Sequence, residues 1–262
     1  MRCSLSGIGK MFFTIVIAVT ITVTAFGYSS SKADVLLDQS CSTKQDIIEI
    51  NDIADVLKYT KNVDLVVSDI DATLLLFISK DETSNHKSNW LSNFFPALFD
   101  KPSRFIPSSV EQETPYVIET LRAQGIPLLL YTARSWRVRD LTEKQLFKAG
   151  IVIDKNAVYN KQLVVQPGKY VERGFGFENG ILYWIRNKKY TGQPDKSKGP
   201  LLLQFFNTIN YHPKKIIFID DTKERIDGLA QLLKKQGIEA TVLWYHGAKK
   251  RHVTTMYEYS GV

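Results

Sequence analysis

Asp69 and Asp71 stand two residues apart where the apolar run VDLVVS, residues 63–68, comes to an end. Thr132 closes a second apolar run, IPLLLY, and the pair Asp220-Asp221 closes a third, KKIIFI. Lys198 stands just before a fourth apolar segment, GPLLLQFFNTI. Each is ordinary by itself: strands end in Asp, threonines cap helices and lysines lie on surfaces. Brought together, four carboxylates need a cation, and hard oxygen ligands suit Mg²⁺, which keeps several waters and favours a phosphate as co-ligand. A lysine ammonium and a threonine hydroxyl would then supply donors for phosphate oxygens. The set predicts phosphoryl chemistry, provided the fold gathers these residues.

The elements required to gather them are legible. Strands are expected at 63–69, 126–132, 151–153, 214–220 and 239–245, all continuous apolar runs. Helices are expected at 108–125, 137–150, 199–209 and 222–237, with Pro115 marking a start or kink in the first and Gly125 and Gly150 acting as stops. Residues 46–60 combine a short apolar alternation with helical spacing. Alternating elements with fully apolar strands predict an α/β fold: a three-layer, doubly wound parallel sheet covered by helices on both faces. In such a sheet the ligand crevice lies outside the carboxyl ends of the strands, where the candidate residues fall.

Two segments interrupt the alternation. Residues 76–107 are rich in aromatics and proline, and residues 155–197 contain FENGILYW, whose Asn179-Gly180 predicts a β-hairpin. Both are expected to be small cap insertions, candidate lids over the crevice. Trp90, Phe94, Phe95 and Phe105 are placed to pack in the first or to stack on a ligand.

The chain has 262 residues, 44% of them hydrophobic, an ordinary globular composition. Its first 33 residues read as a signal peptide: Arg2 and Lys10 precede the apolar run 11–26, and Ser31 and Ala33 sit at minus three and minus one of a cut before Asp34, with a second cut available after Gly27. The run is shorter than the ~20 residues that span a membrane comfortably. The expectation is an exported domain over 34–262, periplasmic or secreted in a bacterium, without a stable membrane anchor after cleavage. Removing Arg2, Lys10 and Lys32 lowers the formal charge from +7 to +4. That mild excess suits an anionic small molecule and predicts no nucleic-acid partner, since only GAKKRH, 247–252, clusters the charge. Cys41 would be the single cysteine left, so no internal disulfide is expected, and His86, His212, His246 and His252 lack zinc-ligand spacing. Nothing in the sequence bears on oligomeric state.

DIDAT, YTAR, KG and IDD, in that order over residues 69–221, resemble the four motifs of the haloacid dehalogenase superfamily. The Asp-x-Asp-x-Thr form implies its phosphatase and phosphotransferase branches, and exported acid phosphatases and secreted bacterial proteins with similar DID and TAR motifs look nearest. The resemblance implies Asp69 as nucleophile and Asp71 as general acid and base, its proton retained by neighbouring carboxylates. Thr132 and Lys198 would hold the phosphoryl group, with Lys198 also keeping Asp69 ionised. Asp69, Asp220 and the Asp71 backbone carbonyl would bind Mg²⁺, supported by Asp221, while Thr73 would brace the loop. Ala72 departs from the pattern, since many relatives carry a polar residue there. The implied activity is hydrolysis of phosphomonoesters; the alternatives are a phosphotransferase or an exported interaction protein without turnover. Phosphorelay receiver domains also gather acids, Thr and Lys around Mg²⁺, but their acidic pair comes early in the chain, whereas Asp220-Asp221 comes last.

Overall fold

A computed structural model describes residues 47–79, 105–152, 157–189 and 197–248. The expected signal peptide, Cys41, His86, His252, Trp90, Phe94, Phe95 and most of GAKKRH lie outside these residues, as does the side chain of Phe105. In chain order the strands are β1 (Ile47–Ile50), β2 (Leu65–Ser68), β3 (Leu75–Ser79), β4 (Phe105–Ser109), β5 (Leu128–Ser135), β6 (Leu163–Val165), β7 (Arg173–Glu178), β8 (Ile181–Arg186), β9 (Lys215–Asp220) and β10 (Glu239–Tyr245). The α-helices are α1 (Thr114–Ala123), α2 (Arg139–Lys148), α3 (Gly199–Thr208), α4 (Lys223–Ile226) and α5 (Leu229–Lys234), with 3-10 turns at Ile53–Tyr59 and Trp136–Val138.

Eight strands form one sheet in the order β1-β10-β9-β2-β5-β8-β7-β6, parallel from β1 to β8 and antiparallel over β7 and β6. Successive strand residues face opposite sides, and the apolar content divides accordingly. Val66, Leu128, Leu130, Ile217 and Leu243 pack beneath α1, α2 and the first 3-10 turn; Leu65, Val67, Leu129, Tyr131, Ile216 and Phe218 pack beneath α3, α4 and α5. On the second face Phe205 of α3 is central, its ring 4.8 Å from that of Phe177 and 5.7 Å from that of Phe175. The doubly wound α/β fold read from the sequence is the one observed.

Three expectations need correction. Ile151 and Val152 form no strand, and the sheet position beside β5 is taken by β8. The hairpin of β7 and β8 turns where expected, with Asn179 at φ 48° and Gly180 at φ 78°, the pair of positive angles a type I′ turn requires. It is not a cap, however: β8 runs parallel to β5 within the main sheet, which puts the Asn179-Gly180 turn at the edge opposite the carboxyl ends of β2, β5 and β9. The predicted helix 222–237 is two short helices, interrupted at Gly228, whose φ of 75° ends one and starts the next. The separate two-stranded sheet is instead β3 with β4, an antiparallel pair that leaves directly from the Asp69–Asp71 loop.

Candidate functional site

Register brings the motifs together. Ser68 of β2 is level with Ile219 of β9 and Leu130 of β5, so Asp69 follows into the crevice beside Asp220 and near Thr132. The Asp69 amide donates to the Ile219 carbonyl at 2.9 Å, the last rung before the chain leaves the sheet. Ile70 turns to the opposite face and is fully buried there, which holds Asp69 and Asp71 on the crevice side. The loop then closes on its own backbone: Leu74 and Leu75 amides both donate to Ile70, and Ala72 donates to Leu75, each at 2.9 Å. Ala72 completes that turn at φ 60°, the left-handed region, which suits Asn, Asp or Gly better than alanine. Thr73 is buried, but its hydroxyl makes no hydrogen bond with a described residue, so it supports the loop by packing alone.

Lys198 precedes α3, and its ammonium is fully buried in the crevice. It donates to Asp69 Oδ1 at 2.6 Å and to the Tyr131 carbonyl at 2.8 Å, and forms an ion pair with Asp220 Oδ2 at 2.7 Å. Gly199 follows it at the start of α3, where a Cβ would lie 2.5 Å from Leu232 Cδ2 on α5 and that side-chain tip would have to shift. The burial of the charge is tolerable because three oxygens surround it.

Asp69, Asp220 and Asp221 each present a carboxylate oxygen, all within 4.8 Å of one another. Asp69 Oδ2 is buried without a hydrogen bond, the vacancy in its bonding that a cation would satisfy. Burial, reinforced by Asp69, pushes the Asp220 carboxyl up against the opposing pull of Lys198. Burial, Asp69 and Asp220 together push Asp221 up to about 7. Crowded acids of this kind, offering hard oxygen donors, fit a divalent cation such as Mg²⁺. The Asp221 carboxylate thus stands in the same cluster as those of Asp69 and Asp220.

Asp71 is turned elsewhere. Arg134, buried at the end of β5, donates through Nε to both Asp71 oxygens at 3.1 and 3.0 Å and through Nη2 to Oδ1 at 2.6 Å. Nη1 of the same guanidinium is held by Thr142 Oγ1 at 3.1 Å and Gln145 Oε1 at 2.7 Å, both on α2. The side chain that meets both Asp71 oxygens is thus a guanidinium. Thr132 lies between the two sets: its hydroxyl is 3.5 Å from Asp71 Oδ2 and accepts from the Arg134 amide at 3.1 Å. Arg134 is part of YTAR, yet no role for it is legible in the sequence, because only α2 reveals that its guanidinium is buried and locked.

The molecule is therefore an α/β protein whose parallel strands deliver an acidic crevice. Residues 104–259 match the family described as "Protein of unknown function (DUF2608)", and the chain belongs to that family. The matched span contains Thr132, Arg134, Lys198, Asp220 and Asp221 and begins after Asp69 and Asp71. Over 122 residues the chain is 30% identical to a protein of Chlamydia pneumoniae whose name assigns it provisionally to the outer membrane. That alignment covers 47% of this chain and 40% of the relative, so the chain spans well under half the relative's length. Among solved structures it is similar to a class C acid phosphatase from Bacillus anthracis with tungstate bound, at 14% identity and a TM-score of 0.36, covering 73% of this chain and 70% of that one. At that score the likeness supports no inference about activity. Among the described residues no helix is long and apolar enough to cross a membrane.

Proposed function

We propose that this protein is an exported, Mg²⁺-dependent phosphatase of the haloacid dehalogenase type that hydrolyses phosphomonoesters of small molecules. The observation that carries the reading is the bridging of Asp69 and Asp220 by the buried Lys198 ammonium, at 2.6 and 2.7 Å, at the shared edge of β2, β5 and β9. It unites three motif residues that are distant in sequence around one point.

Asp69 is the nucleophile. A carboxylate oxygen attacks phosphorus, the bond to the ester oxygen breaks, and the phosphoryl group passes to Asp69 as an acyl phosphate. Positioning and neutralisation of charge supply most of the acceleration in such a transfer. Lys198 fixes the direction of the Asp69 carboxylate and offsets the charge of Asp220. Asp71 is placed to give a proton to the leaving oxygen and then to take one from the water that cleaves the acyl phosphate, returning Asp69 to its starting form. To carry that proton Asp71 must loosen one arm of the Arg134 fork. Mg²⁺ bound by Asp69, Asp220 and Asp221, with the Asp71 carbonyl as the resemblance implies, would neutralise the phosphoryl oxygens.

Purified protein assayed on p-nitrophenyl phosphate and natural phosphomonoesters is expected to turn over with Mg²⁺ and to lose activity in EDTA. Asp69→Asn is expected to abolish turnover; an unchanged rate would remove Asp69 from the role. Product formation that depends on an added alcohol would identify a phosphotransferase. Mg²⁺ binding by a folded protein without turnover would favour a binding protein, a reading that the engagement of both Asp71 oxygens by Arg134 also supports.

A further inference from the structure

Lys198, which the motif assigns to the phosphate, is heavily engaged with the protein. Its ammonium donates to Asp69 Oδ1 and to the Tyr131 carbonyl, and it stands 2.7 Å from Asp220 Oδ2 in an ion pair without hydrogen-bond geometry. It is fully buried, with the rings of Tyr131 and Phe218 also against it, at 5.2 and 6.0 Å. The Thr132 hydroxyl is likewise engaged, between the Arg134 amide and Asp71. Arg134 is committed to Asp71, Thr142 and Gln145. A phosphate arriving at Asp69 would find these groups bound to the protein.

Arg225 differs. It lies on α4, immediately beyond Asp220-Asp221, and its carbonyl accepts from the Lys198 amide at 3.3 Å, which ties the two cations to one backbone junction. Its Nη1 stands 3.6 Å from Asp69 Oδ2, near enough for charge attraction but without a hydrogen bond. The side chain is 25% exposed, so it reaches the open side of the crevice, where Lys198 does not. A guanidinium keeps its charge throughout the physiological pH range. A phosphorus atom attacked in line must come within roughly 3–3.5 Å of an Asp69 oxygen. Its peripheral oxygens would then lie beside this guanidinium, whose planar fork matches them.

We infer that Arg225 is the residue that binds the phosphoryl oxygens directly, and that Lys198 acts one step behind it by orienting Asp69 and Asp220. The inference deepens the proposed phosphatase reading and rests on it for the identity of the anion. It makes Arg225 a catalytic residue, outside all four sequence motifs.

The test is full-length protein with saturating Mg²⁺, titrated calorimetrically with inorganic phosphate, in the wild type, Arg225→Gln and Arg225→Lys. Loss of a charge-assisted hydrogen bond is expected to weaken phosphate binding by about tenfold or more in Arg225→Gln. Arg225→Lys should recover part of it, and melting temperatures should stay close to that of the wild type. On p-nitrophenyl phosphate the inhibition constant for phosphate should rise in parallel. Phosphate affinity within twofold of the wild type in Arg225→Gln, or no phosphate binding by the wild type, would overturn the inference. If Arg225→Gln does not fold, equal affinity in Arg225→Lys and the wild type would overturn it. Failure of the phosphatase reading is read separately, as absent turnover, because the calorimetry needs none.

Discussion

Asp69 and Asp71 are neighbours in one loop, yet their carboxylates meet opposite fates. Asp71 enters a closed set: Arg134 grips both its oxygens, and Thr142 and Gln145 hold the guanidinium from behind. Asp69 enters an open one, with Lys198 on Oδ1, no hydrogen bond on Oδ2, and two further acids, Asp220 and Asp221, crowding the same space. A buried polar network that is fully satisfied rigidifies its members, whereas one left short of partners is poised for a ligand. The difference separates a half of the crevice whose acid is already satisfied from a half that, on the proposed reading, would receive a cation and a phosphate.

The comparison is broken most directly at Arg134. Removing one partner of a buried pair strands the other charge, so Arg134→Leu is expected to cost about 3–5 kcal/mol in denaturant unfolding. Asp71→Asn should cost a similar amount, and the double variant much less than the sum. Additive losses would show that the two groups do not act as a unit. In Mg²⁺ assays Asp71→Asn is expected to lower kcat by ~10² to 10⁴-fold, the scale of general acid and base help, without a comparable change in phosphate affinity.

On the open side the sign is reversed. Asp221 is raised from the ordinary carboxylate range to about 7, so the folded protein holds this proton more tightly than the unfolded chain does. Its contribution to stability is present at low pH and is lost as pH rises toward 7. Without metal, stability should fall by about 2 kcal/mol between pH 5 and 7.5 from this group. Saturating Mg²⁺ should remove that slope, and Asp221→Asn should flatten it in EDTA. Melting curves across this range, with EDTA or Mg²⁺, check both; a slope unmoved by either change would separate Asp221 from the cluster.

The smallest effect belongs to the loop shared by both halves. Ala72 sits at φ 60°, and glycine removes that cost at some expense in chain entropy. Ala72→Gly is expected to raise unfolding stability by about 0.5–1 kcal/mol, leaving the kcat of the Mg²⁺-loaded enzyme close to its starting value. A loss of stability would mean that the turn is held by something other than its backbone bonds.

Much of this was legible because it depends on strand ends. Asp69, Thr132 and Asp220 follow apolar runs buried on both faces, and a parallel sheet brings such ends to one edge without further information. Lys198 could be placed because it opens an amphipathic helix ahead of a strand. The missing pieces depend on contacts between elements. Arg134 and Arg225 look like surface arginines until α2 and α4 show what they face. Asn179-Gly180 announces a turn, but its sequence carries no sign of which edge that turn occupies. The short strand expected at 151–153 is not formed by Ile151 and Val152, because that segment and the β8 segment are both apolar and only pairing decides which enters the sheet.

The absence of a methyl group at Gly199 reaches beyond packing. The lysine that bonds Asp69 stands one residue before this close approach of α3 to Leu232, a residue with no chemistry of its own. On the proposed reading, constraint on the crevice would therefore reach an outer helix, and a side chain at 199 would call for a smaller one at 232.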